Sequence, residues 1–93
     1  MTVGLCTVEL FIPDGHSLKE KRQVLQSLKT RLRDKFNLSV AEVGDQDLWQ
    51  KALLGMACVA NESAHVNQVL DQAVNLIQSV PAIQLLRSRI EFL

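Results

Sequence analysis

The sequence lacks most of the features that mark a function at first sight. Tyrosine is missing, and one tryptophan and three phenylalanines are the only aromatic side chains among 93 residues. Ten Lys and Arg balance ten Asp and Glu, so the whole molecule has no net field to draw it toward nucleic acid or membrane, and any attraction is local. No run approaches the roughly 18 apolar residues that a membrane span needs. The apolar opening from Met1 to Ile12 has no basic leader, carries Glu9 in its middle and meets Pro13-Asp14-Gly15 without a small-residue cleavage site, so it reads as a strand and not as a secretory signal. Cys6 and Cys58 sit in apolar runs, away from the paired spacings of a disulfide framework or a zinc site, and are expected to be small core hydrophobes. The glycines stand singly, which excludes a P-loop and a dinucleotide fingerprint. With no repeat, linker or low-complexity stretch, the chain reads as one domain over residues 1–93, cytoplasmic and without a cofactor.

What is present alternates in the manner of secondary structure. From Val3 to Ile12, Gly4, Cys6, Val8, Leu10 and Ile12 share one side while Thr7 and Glu9 take the other, the period of a strand with one buried face. Pro13-Asp14-Gly15 breaks it. Ser17-Leu18-Lys19-Glu20 has the form of a capping box, in which the hydroxyl and the carboxylate each take a backbone N–H that the first helical turn leaves free. Behind it Leu18, Val24, Leu25, Leu28, Leu32 and Phe36 fall on one side of a helical wheel, and Asn37 suits the left-handed position that ends a helix. Short strands over Leu38 to Val43 and Ala52 to Ala60 flank the polar connection Gly44 to Lys51. Asn61 or Ser63 caps a second helix with Val66, Val69, Leu70, Ala73, Leu76 and Ile77 as its stripe, and Pro81 follows its end. The last strand, about Ile83 to Phe92, sets Leu86, Ser88, Ile90 and Phe92 against Arg87, Arg89 and Glu91.

Right-handed crossovers fold this βαββαβ order into an α+β domain, a four-stranded antiparallel sheet with both helices on one face: the ferredoxin-like arrangement. That fold serves many unrelated functions and names none. Ser17-Leu18-Lys19-Glu20-Lys21-Arg22 and the run from Asn37 to Gln50 resemble the two signature stretches of the YlxP-like family, small bacterial proteins of unknown function, and the resemblance covers essentially the whole chain. It implies a ferredoxin-like fold, a bacterial cytoplasmic setting and genes that often lie beside an initiation factor and a ribosome-binding factor. It brings no catalytic or binding residues with it.

Catalysis needs a nucleophile, an acid–base pair or a metal held together by the fold. His16, in the turn before the first helix, and His65, in the first turn of the second, have no carboxylate at an orienting distance in the sequence, and both read as solvated helix-terminus residues. A non-enzymatic domain is expected. The distribution of charge is more informative than its sum: from Ser17 to Phe36 seven basic residues face only Glu20 and Asp34. Lys19, Arg22, Lys29 and Arg33 fall within about one quadrant of the helix, whereas the solvent face of the second helix carries Asn67, Gln68, Asp71, Gln72, Asn75 and Gln78 and almost no charge. Solubility alone therefore does not require the stripe. Clustered cations suit a phosphate backbone, so ribosome or structured RNA is the expected partner, against the plainer reading of a solvated helix face. RNA-recognition domains of this topology carry stacking aromatics on the third strand; Ala52 to Ala60 has none, so contact would run through the first helix.

Two further expectations concern interfaces, and they support an alternative function as a dimeric protein-interaction or small-ligand regulatory module. Both alternating sets of the third strand are apolar, as in a strand covered on two sides, and with Val3, Leu5 and Phe11 they predict a homodimer through the open sheet face; Arg87 and Arg89 folding over that face is the other solution. The Gly44 to Lys51 connection is longer than a tight hairpin needs. Asp45 and Asp47 precede the sole tryptophan there, so Asp45, Asp47 and Trp49 are protein-docking candidates. The competing reading is structural, with Asp45 capping one helical turn and Leu48 and Trp49 packed back over the core.

Overall fold

The computed structural model describes residues 1–93. Strict alternation of burial in β1 (Thr2–Phe11) turns Gly4, Cys6, Val8 and Leu10 inward. After α1 (Leu18–Lys35), the chain adds β2 (Ser39–Gly44), β3 (Lys51–Ala60), α2 (Ser63–Gln78) and β4 (Gln84–Phe92). The sheet is fully antiparallel in the order β2-β3-β1-β4, which is the ferredoxin-like α+β topology. One core lies between the sheet and the two helices, made by the inward residues of β1 and β3 with Leu25, Leu28 and Leu32 of α1 and Val66, Leu70, Ala73 and Ile77 of α2. Gly4 lets α2 approach the sheet, because a Cβ there would collide with Val66 and Leu70. Removing such surface from water is the main favourable contribution to the fold.

Local details correct several expectations. Ser17 caps α1 by accepting the Glu20 N–H at 3.1 Å, but the Glu20 carboxylate accepts from the His16 N–H and not from Ser17. Asn37 is not left-handed. The helix ends instead on Phe36, which turns extended (φ −129°, ψ 148°) and leads directly into β2. α2 begins on Glu62 with no side-chain cap, so neither Asn61 nor Ser63 takes that role. A register shift opposite Glu9 and Leu10 rotates β4, so that Leu86, expected on the face of Ile90, is exposed and Leu85 packs on the core instead.

The largest correction is Lys21, counted in the sequence among the surface cations. It lies at the same i, i+4, i+7, i+11 spacing as Leu25, Leu28 and Leu32 and is 1% exposed. Its ammonium donates to the Asp45 carbonyl at 2.6 Å and sits 2.8 Å from Glu42 Oε2. The latter is a contact of charges whose angle is too sharp for a hydrogen bond, since Oε2 has no hydrogen-bond partner. Glu42 reaches Lys21 because it faces inward on β2, opposite Leu54 of β3. Asp45 is the only non-glycine residue with positive φ, 59°, and its carbonyl also accepts the Leu48 N–H at 3.1 Å. One buried ammonium thus fixes α1, β2 and the β2–β3 turn to one another.

Breaking a buried pair strands the remaining charge, whereas replacing both partners by apolar groups is often neutral. Lys21→Met should therefore cost about 3–5 kcal/mol, and Lys21→Met with Glu42→Leu should recover most of it. Urea denaturation of both variants decides the point; a single variant as stable as the double one contradicts the role given to Lys21.

Candidate nucleic-acid interface

α1 presents its polar flank to the outer edge of β2, because β2 is an edge strand and no further strand covers that side. Between them runs an open groove of about 760 Å³. Lys19, Arg22, Lys29 and Arg33, the four cations of the predicted stripe, all line it, with Gln26 between them and Val40, Ala41, Glu42 and Gln46 opposite. Arg33 Nη2 donates to the Val40 carbonyl at 3.3 Å, which fixes one guanidinium along the strand edge. No carboxylate forms an ion pair with any of the four, since the only pairs in the molecule are Lys21–Glu42 and Arg89–Glu91. Glu42 is the one acid of the groove, and the buried Lys21 offsets its charge from below. The remaining helix cations go elsewhere: Arg31 and Lys35 border α2, and Lys35 Nζ stands 5.7 Å from the Phe36 ring centre.

The β2–β3 connection divides two concave surfaces. Gln46 belongs to the groove, whereas Asp47, Leu48, Trp49 and Gln50 line a cleft of about 630 Å³ at the end of the domain, with Phe11, Gly15, His16 and Lys51. Trp49 is 55% exposed and Leu48 47% exposed, which overturns the expectation that they pack back over the core; nor does Asp45 cap a helical turn, being left-handed in an ordinary reverse turn. The reason is the anchor: with the Asp45 carbonyl on Lys21 Nζ, the connection is held at its start and the core beneath is already filled.

Both cysteines are free and buried on adjacent strands, Cys58 opposite Gly4 and Cys6 opposite Met56. Burial pushes both thiols up from their ordinary value, which keeps them protonated and unreactive at neutral pH. His16 and His65 are exposed, and no three His, Cys, Asp or Glu side chains converge in a way that could hold a metal ion. The open face of the sheet carries a shallow apolar hollow of about 390 Å³ over Gly55 and its neighbours, flanked by Leu5, Ala41, Val43 and Ala57. No helix is long and apolar enough to cross a membrane.

Fold and surface together define a small ferredoxin-like domain with a basic groove on one helix flank. The family described as "Protein of unknown function (DUF503)" matches residues 3–90. The uncharacterized protein YlxP of Bacillus subtilis (strain 168) is 38% identical over 90 residues, covering 97% of this chain and 98% of that protein. The chain belongs to this YlxP-like, DUF503 family.

Two solution measurements check this description of the surface. The single tryptophan should emit at long wavelength and be readily quenched by acrylamide; blue-shifted, shielded emission contradicts its exposure. A thiol reagent at neutral pH should modify Cys6 and Cys58 only after denaturant is added. Because the raised thiol values favour the protonated folded form, their contribution to stability is full below the ordinary value of 9.0 and is lost as pH rises beyond it.

Proposed function

We propose that the chain is a non-enzymatic accessory domain that associates with structured RNA of the ribosome through the α1–β2 groove. The observation that supports this most directly is the set of four cations without carboxylate partners along one groove whose only acid is offset by Lys21. Lys19 to Arg33 extends about 21 Å along the helix axis at ~1.5 Å per residue, enough to follow a phosphate backbone rather than grip one phosphate. The groove holds no aromatic side chain, so it suits sequence-independent backbone contact and not stacked, unpaired bases. The gene setting that the family resemblance implies, among translation factors, points the same way.

Lys19, Arg22 and Arg33 are exposed and Lys29 is half-buried, and charges so placed contribute little to stability, so the four changed together to Glu should lower the melting temperature only slightly. Ribosome pelleting of this fourfold variant should fall to background. Changed one at a time, each cation that meets a phosphate should reduce the wild-type salt slope by roughly one unit. Wild-type protein that fails to bind ribosomal particles or structured RNA even at low salt contradicts the proposal.

A second reading, a homodimer through the open sheet face, is favoured by the hollow over Gly55 and by Val43 and Val59, 58% and 49% exposed at its rim. A second copy suits this face because its ionic side chains come close to balance, Glu9 and Glu91 against Lys51, Arg87 and Arg89. The molecule's 42 × 21 Å extent also gives a face on the order of the ~800 Å² per partner that stable interfaces bury. Sedimentation at high micromolar concentration should show a salt-resistant dimer if this reading holds, and a strict monomer removes it.

A further inference from the structure

The Trp49 cleft lies on the other side of the β2–β3 connection from the basic groove and lacks the groove's excess of cations, with Lys51 the one lysine or arginine in its lining. We propose that it is a protein-docking site for an extended, basic segment of a partner protein, one that presents arginine beside an aliphatic side chain. The inference does not rest on RNA binding by the groove.

Rigidity is the first support. An exposed tryptophan on a loose loop carries little meaning, but this connection is tied at both ends. The Ile12 N–H donates to the Gln50 carbonyl at 2.7 Å, and Gln50 Nε2 donates to the Pro13 carbonyl at 3.0 Å. At the near end the Asp45 carbonyl is held by Lys21. Gly15 lies so close to the Trp49 carbonyl that any Cβ would displace it. Trp49 and Leu48 are therefore held in solvent by the fold, and a partner meets a surface already ordered, with little conformational entropy left to lose. Tryptophan is also the side chain that most often dominates such contacts.

Charge complementarity selects the occupant. Asp47 lines the cleft, and Asp14 adjoins its lining residue Gly15 in the chain. Neither carboxylate is in an ion pair, and Lys51 is the one lysine or arginine in the lining. Phosphate would meet more negative than positive charge here. An arginine fits both surroundings, its guanidinium over the indole face and its forked donors toward Asp47, while an aliphatic neighbour fills the space between Phe11 and Leu48.

Titration of the intact chain with a short peptide of alternating arginine and leucine, read by Trp49 emission and by calorimetry, tests the proposal. A saturable blue shift is expected, weakened by salt. A glutamate–leucine peptide of equal length and an arginine–serine peptide should each bind at least about tenfold more weakly, the first for charge and the second for the missing aliphatic anchor. Asp47→Asn should weaken binding several-fold, and Trp49→Ala, followed by calorimetry, should abolish it with the melting temperature nearly unchanged. A large fall in melting temperature for Trp49→Ala, no saturable response to the arginine–leucine peptide, or an equal response to the acidic one overturns the proposal. Duplex RNA that shifts Trp49 emission and competes with the peptide would assign the cleft to nucleic acid and overturn it equally.

Discussion

A single ammonium group organises the half of this molecule that carries the groove and the Trp49 cleft. Lys21 occupies a position where helical periodicity calls for leucine, and its burial is tolerable only because two oxygens from different elements meet it, the Glu42 carboxylate on β2 and the Asp45 carbonyl in the turn that follows. Desolvating a lysine is expensive, and a buried ion pair often adds little net stability over an apolar alternative. Its value here is geometric. It sets the distance between α1 and the edge strand, and it sets the conformation of the connection that leaves β2.

Two surfaces follow from that placement. Because Lys21 offsets Glu42 from beneath, the groove between α1 and β2 keeps the field of its four cations, which would otherwise be partly cancelled by the one acid among them. Because the turn is pinned at Asp45, the residues beyond it project outward, and the chain's sole tryptophan ends in a cleft that Asp47 and Lys51 also line. A protein with no net charge thereby presents a basic groove and a separate aromatic cleft on either side of one short connection. Under the two proposals made above, that separation would let one domain hold a phosphate backbone and a basic protein segment at once.

Period and punctuation carried most of the fold into the sequence. Strict alternation in β1, the Ser17 cap and the apolar stripes of both helices were legible because each depends on neighbours within a few positions. Residues settled by distant partners were not. Lys21 looked like one more surface cation, since its partners lie 21 and 24 positions downstream; its place in the i, i+4, i+7 series with Leu25 and Leu28 was the signal available. Leu85 took the place expected of Leu86 through a register shift set by pairing with β1, which alternation within β4 alone does not encode. The helix end at Phe36 followed from the need to enter β2 at once, overriding the local preference of Asn37. The stripe of Lys19, Arg22, Lys29 and Arg33 was legible as a helical quadrant, but only the structure shows that the edge of β2 turns it into a groove.

The anchor at Lys21 separates the groove proposed to bind RNA from the cleft proposed to bind protein, and that division can be tested. Amide and indole NMR shifts during a titration with a structured ribosomal RNA helix at low salt address it most directly. Shifts confined to α1 and β2, around Lys19 to Arg33 and Val40 to Glu42, are expected, with the Trp49 indole unmoved. Shifts centred on Trp49 or the open sheet face, with α1 unaffected, contradict it.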